Sequence, residues 1–232
     1  MDAGPARAPL TVGTGREHEK HAAAVAAAEL VVDGSTVGLG TGSTVSYLLP
    51  ALAGRGLHLR CVATSPATER AARAVGLVVE PFGSVDRLDV AVDGADQIAP
   101  DGWLVKGGGG AHTREKIVAA AADRFVVIAD SSKPTGALRP PVPLELLSYG
   151  LASTMRRLGA IGPVRPRGVP PSPDGGVICD YLGPVEDPAS LAEALQAVPG
   201  VLEHGLFPPG MVSLVLVGRG TAVERRRVTP PG

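Results

Sequence analysis

Lysine is almost missing from this chain: of 22 basic residues 18 are arginines, and the lysines are Lys20, Lys106, Lys116 and Lys133. Where arginine is the default cation, a retained lysine marks a place for a compact, strongly hydrated ammonium or for a readily shifted pKa. Cysteine is scarcer still. Cys61 and Cys179 stand far apart with no CxxC pair, which gives neither a disulfide scaffold nor a zinc site and fits free thiols in a reducing compartment. No stretch reaches the roughly 18 uninterrupted apolar residues of a membrane-spanning helix, and the opening MDAGPARAPLTVGTGRE has no apolar signal core. Charge of one sign is lacking as well. The 22 basic and 23 acidic residues give a formal net charge of -1, which argues against the broad basic face of a nucleic-acid binder and leaves room for a local anion site. These absences describe a cytoplasmic protein with neither nucleic acid nor membrane as its partner.

What is present is a chain of 232 residues, 44% hydrophobic and 19% charged. That suffices for one large domain or two small ones, at roughly 100–200 residues each, and lies far from the composition of disorder. Residues 1–16, rich in Ala, Gly, Pro and Thr, are expected to form a flexible leader. Strong helix formers from Glu17 to Val32 predict a helix that Asp33-Gly34 stops. A short apolar run, Ser35 to Leu39, then leads through a glycine-rich turn into VSYLLPAL, helical despite Pro50. The theme recurs in LHLRCVA, the helix from Thr64 to Gly76, LVVEPF and LDVAVDGAD, and again as strand, glycine loop, helix and strand in WLVKGGGGAHTREKIVAAAADRFVVIAD. Such alternation predicts an α/β fold with a mainly parallel sheet, its ligands bound beyond the carboxyl ends of the strands.

After Lys133 the proline-rich PTGALRPPVPLELL breaks the pattern. The expected division is therefore a main domain of residues 17–139 and 210–232, and a small α+β domain of residues 140–209. The small unit should hold a helix in LLSYGLASTMRRLG, a turn at Asp174-Gly175-Gly176, a strand in VICDYL, a helix in DPASLAEALQAVPG and a last short strand. SLVLVGRG should rejoin the first sheet, ahead of a basic tail, Arg225 to Arg227.

Chemistry concentrates at the predicted sheet edge. GLGTGST, Gly38 to Thr44, places glycines and the hydroxyls of Ser43 and Thr44 before a helix, either as a phosphate cradle or as an ordinary tight turn. It has no P-loop lysine, and Ser43 stands where a dinucleotide fingerprint needs its third glycine. DGAD, Asp93 to Asp96, offers two carboxylates that could orient hydroxyls or move protons, or simply make a turn. In KGGGGAHTREK, Lys106 to Lys116, four successive glycines add conformational cost and no packing, which suits backbone amides aimed into a site. Lys106 could hold a developing oxyanion there. Glu115 falls in the first turn of the next helix, where it could act as a base or merely complement the helix dipole. Lys133 closes ADSSK, a further loop at the same edge; Lys20 reads as a solvated helix residue, His112 as a base or a loop side chain, and Cys61 as core.

Taken together and in this order, GLGTGST, DGAD, KGGGGAHTREK and ADSSK resemble the type A ribose-5-phosphate isomerases, with looser support from PVPLEL and VPGVLEHGLF. The resemblance runs from about Lys20 to Val217. It implies a Rossmann-like main domain with a smaller ferredoxin-like domain, assembled as a homodimer or homotetramer. It also implies an aldose-ketose isomerase of ribose 5-phosphate and ribulose 5-phosphate that needs no metal and no cofactor. Carried over, Thr41, Gly42, Ser43 and Thr44 match the substrate loop, and Asp93, Gly94, Ala95 and Asp96 the acidic loop. Lys106, Gly107, Gly108 and Gly109 match the lysine-glycine loop, Glu115 the proton-transferring base, Lys133 a substrate-binding lysine, and Lys20 a phosphate-contacting one. The resemblance assigns Asp93, Asp96, Lys106 and Glu115 to catalysis. Three departures stand out: Gln97 in place of Glu, His112 in place of Leu, and Pro208-Pro209-Gly210 in place of a polar loop. They admit a related phosphosugar as substrate. A non-catalytic sugar-phosphate sensor would carry a fused helix-turn-helix, for which the first 16 residues are too few, and the missing third glycine argues against a nicotinamide dehydrogenase.

Overall fold

Residues 15–228 are described by a computed structural model of the chain. In chain order they form α1 (Gly15–Ala28), β1 (Thr36–Leu39), α2 (Val45–Ala53), β2 (Arg60–Ala63), α3 (Pro66–Ala74), β3 (Val78–Val79), β4 (Val90–Asp93), β5 (Gln97–Ile98) and β6 (Leu104–Val105). There follow α4 (His112–Ala120), β7 (Phe125–Ala129), β8 (Val142–Leu146), α5 (Leu151–Leu158), β9 (Val164–Pro166) and β10 (Val177–Tyr181). The last elements are α6 (Pro188–Gln196), β11 (Val201–His204), β12 (Leu206–Phe207), β13 (Leu214–Arg219) and β14 (Ala222–Arg227). Local chemistry explains several starts. Ser65 caps α3 by accepting the Thr68 N–H, Asp187 caps α6 by accepting from Ala189 and Ser190, and a proline follows each cap.

The central sheet runs β14-β13-β7-β4-β1-β2-β3 and is parallel throughout except for its edge strand β14. From β1 the chain first builds outward through β2 and β3, then returns to place β4 on the opposite side of β1. The strand order therefore reverses between β1 and β4, and the crevice beyond their carboxyl ends is where open α/β sheets bind ligands. One face packs on α1, α2 and Ala72 of α3, the other on α4 and on Phe207. A separate antiparallel sheet, β11-β8-β10-β9, has its own core around Leu144, Leu146, Leu158 and Leu195. None of the described helices is long and apolar enough to cross a membrane.

Four expectations need correction. The first helix begins at Gly15, inside the expected leader, and ends at Ala28; the rest of that leader lies outside the described residues. The strand in WLVK does not join the parallel sheet. The turn at Asp101-Gly102 is too short for a crossover, so β6 folds back antiparallel on β5 and pairs with β12 in a third, three-stranded sheet. VPLEL is a fully buried strand rather than the approach to a helix, and that helix starts only at Leu151. Pro143 is tolerated because the β11 ladder ends at Leu144, so the donor a proline lacks falls past the paired region, where its carbonyl accepts the Gly205 N–H. Finally, Arg225 to Arg227 form the outer half of β14, where charged side chains protect a sheet edge from further pairing.

Candidate active site

Thirteen residues line a cleft beyond the carboxyl ends of β1 and β4: Thr41 to Thr44, Gly94, Ala95, Asp96, Lys106 to Gly109, Glu115 and Lys133. Each was singled out in the sequence. Asp93 and Lys20 do not line it. Asp93 lies behind the wall, and Lys20 stays on α1, its ammonium donating to Glu17 at 2.8 Å. Three of the four lysines pair with carboxylates; Lys133 has no such partner among the described residues.

At the bottom sits a buried triad. Asp93, Lys106 and Glu115 are 2%, 2% and 5% exposed, and the Lys106 ammonium lies 2.8 Å from Asp93 Oδ2 and 3.0 Å from Glu115 Oε2. It also donates to the Gly94 carbonyl at 2.6 Å. Asp93 Oδ1 accepts the N–H groups of Thr41 at 3.0 Å and Gly94 at 2.7 Å, which joins the two loops across the β1/β4 seam. Only a glycine fits at position 40, because a Cβ there would collide with the Asp93 carboxylate. The Thr41 hydroxyl is fixed in turn by Thr64 and Thr68 at 2.8 and 3.1 Å.

Three buried charges with one cation among them set the electrostatics. Burial pushes the Glu115 carboxyl up to about 7; the Asp93 charge adds to the rise and Lys106 opposes it. Burial likewise holds Asp93 above the ordinary carboxylate range, against the pull of Lys106. Although burial disfavours its charge, Lys106 is kept protonated, above the usual lysine range, by the two carboxylates. A cluster with two ionised carboxylates would carry an uncompensated buried charge, so near neutrality one of them holds a proton. Asp93 engages donors at both oxygens. Among the described residues Glu115 Oε2, 3.0 Å from the Lys106 ammonium, has no partner in hydrogen-bond geometry, which makes Glu115 the less committed carboxylate and the one better placed to exchange that proton.

The glycine loop shapes the rest. Gly107 adopts φ of +99° and Gly110 of +73°, values open to glycine at little cost, and the Gly108 N–H donates to Asp96 Oδ2 at 2.7 Å. His112 is buried against Gly107 and does not reach the cleft, and burial lowers its imidazole to about 3, Lys116 adding to the effect. Gln97 exchanges hydrogen bonds with the Arg139 backbone, and neither it nor the turn at Pro209 lines the cleft.

Sequence reasoning missed Arg167. Its guanidinium donates to the carbonyls of Gly107 and Gly108 at 2.9 and 3.0 Å while gripping Asp180 through two nitrogens. It also left Lys116 unassigned, which donates to Glu203 at 2.6 Å and to the His204 carbonyl at 2.7 Å. No local pattern announces either contact, since the partners meet only once the antiparallel sheet has folded against the loop.

A sheet-end cleft holding a glycine loop, a buried lysine and a carboxylate raised toward neutrality is an arrangement suited to proton transfer. The family model of ribose 5-phosphate isomerase A (phosphoriboisomerase A) matches residues 60–222. Ribose-5-phosphate isomerase A of Halobacterium salinarum is 43% identical over 223 residues, covering 92% of this chain and 97% of that protein. Among solved structures, ribose 5-phosphate isomerase A from Neisseria gonorrhoeae superposes with a TM-score of 0.88 at 31% identity, over 92% of this chain and 98% of that one. A D-ribose-5-phosphate isomerase in complex with phospho-erythronic acid gives 0.86 at 32% identity, over 91% and 99%. The chain belongs to the ribose 5-phosphate isomerase A family.

Proposed function

We propose that this enzyme interconverts ribose 5-phosphate and ribulose 5-phosphate through a cis-enediolate, with Glu115 carrying the proton between C2 and C1. The observation that carries this reading is the Glu115 carboxyl itself, buried in the cleft wall, raised to about 7 and 3.0 Å from Lys106. A base poised near the operating pH is the efficient choice, worth about 10²–10⁴ in rate. Removal of the C2 proton places negative charge on the C1 oxygen. Lys106 and the glycine-loop amides receive that charge; the proton of the C2 hydroxyl then passes to the C1 oxygen, and Glu115 returns its proton to C1 as the C2 carbonyl forms, which gives the ketose. Asp96, which lines the cleft, holds sugar hydroxyls and assists ring opening; buried Asp93 acts through Lys106 and Thr41. Thr41 to Thr44, ahead of the α2 N-terminus, and the unpaired Lys133 hold the phosphate, whose binding energy fixes the reacting carbons.

None of Gln97, His112 and the turn at Pro209 lines the cleft, which favours ribose 5-phosphate over a related sugar. A coupled assay tests this with ribose 5-phosphate, arabinose 5-phosphate and a hexose 6-phosphate. Turnover of the first well above the other two is expected; preference for either of the others contradicts it. Phospho-erythronate, which ends in a planar carboxylate where the enediolate oxygens develop, is expected to inhibit competitively.

A further inference from the structure

Four glycines in a row hold their own peptides weakly, because each residue populates both signs of φ; within this loop the Gly110 N–H donates to the Gly107 carbonyl at 3.0 Å. Here the carbonyls of Gly107 and Gly108 both turn to one guanidinium, that of Arg167, at 2.9 and 3.0 Å. Asp180 immobilises that guanidinium from behind, with contacts of 2.7 to 3.1 Å, and both side chains are mostly buried. The loop peptides are trans, so each N–H points opposite to the carbonyl it shares a peptide with. The first of these N–H groups, on Gly108, accordingly meets Asp96 at 2.7 Å on the far side of the loop. The second, on Gly109, is directed to the same side, where Gly109 lines the cleft and its N–H has no partner among the described residues.

We infer that Arg167 is a positioning residue: by holding the Gly107 and Gly108 carbonyls outward it turns the Gly109 N–H into the cleft as a preset donor to the enediolate oxygen. The inference rests on the enediolate reading of this site. The Gly107–Gly108 peptide is also held by the Gly110 N–H and by Asp96, so without the clamp it is the Gly108–Gly109 peptide that can flip, and a flip presents carbonyl lone pairs to the developing anion instead of a donor.

The test compares Arg167→Ala, Arg167→Lys and Asp180→Asn with the parent enzyme, measuring kcat and KM for ribose 5-phosphate, inhibition by phospho-erythronate and the thermal midpoint. Arg167→Ala is expected to lower kcat about tenfold or more, short of the ~10²–10³ for outright loss of an oxyanion donor, with KM nearly unchanged. Phospho-erythronate should weaken in step with kcat, since both report on the anion's environment. Added guanidinium should restore part of the Arg167→Ala rate. Lysine, with one point of attachment, should not replace the fork. Should Arg167→Ala fail to fold, Asp180→Asn, nearly isosteric, must still slow kcat. A lower thermal midpoint with normal kcat and inhibition would make Arg167 a purely structural tie and overturn the inference, as would a raised KM at constant kcat, which marks direct substrate contact. A parent enzyme unable to isomerise ribose 5-phosphate defeats the reading of the site; an active parent with unaffected variants defeats this inference alone.

Discussion

The loops that line the cleft and the small antiparallel sheet packed against them do different work. All the lining residues belong to the first region, between Thr41 and Lys133, and none to the second. Yet the second region tethers α4 and the glycine loop of the first. Glu145 on β8 accepts from Thr113, Asp174 pairs with Arg114, Glu203 on β11 pairs with Lys116, and Arg167 clamps the glycine loop. Helix α4 is nine residues long and has no side-chain N-cap, too short to be stable or oriented on its own. Its tethers to the antiparallel sheet therefore aim Glu115. Chemistry resides on one side and aim on the other, so substitutions in the two regions should fail differently.

The largest effect is expected at Glu115, the proposed base. Glu115→Gln should lower kcat by about 10²–10⁴ with KM little changed. In the parent enzyme kcat/KM should rise with pH through about 7, as Glu115 loses its proton and becomes able to accept one; a pH-independent rate between 5 and 8 would count against it. Next comes Lys106→Met, which removes the counter-charge of two buried carboxylates and should cost about 10²–10³ in kcat and lower the thermal midpoint. Near-normal turnover would show that the oxyanion is held elsewhere. Lys116→Met probes the other region: with Glu203 unpaired, α4 shifts, and kcat should fall by less than the ~10² of a misplacement of about 1 Å, while the midpoint drops clearly. A raised KM with unaltered kcat would break the division between chemistry and aim. The mildest case is Lys133→Ala, expected to raise KM several-fold and leave kcat almost unchanged, as loss of uniform binding does; steady-state kinetics decides it.

The same division governed what could be read from the chain. Residues Thr41 to Thr44, Asp93 to Asp96 and Lys106 to Gly109 were legible because each motif is local, a strand end running into a loop whose glycines, hydroxyls and charges sit within a few positions of one another. Strand β8 was not, since Pro143 within it and Pro140-Pro141 before it suggest a linker and its pairing depends on β10 and β11, tens of residues away. Arg167 and Asp180 stand in no motif, and their role exists only through carbonyls some 60 positions earlier. Lys20 illustrates the converse: a lysine singled out on resemblance is engaged by Glu17 one helical turn away. Arg225 to Arg227 looked like a tail because a charged edge strand and a solvated terminus have the same composition.

The most direct test of the account is exchange of the substrate C2 proton with solvent in Glu115→Gln, followed in heavy water alongside the thermal midpoint of the same protein. Glutamine keeps the shape of the side chain, so folding and phospho-erythronate binding should persist. A carboxyl raised by burial contributes its stability at low pH and loses it as pH rises from about 4.5 through about 7. The variant's midpoint should therefore equal or exceed the parent's at pH 8, and that advantage should shrink toward pH 5. With Glu115 as the base, C2 exchange disappears in this intact protein. Exchange continuing at a substantial fraction of the parent rate would contradict the account and move the base to another group.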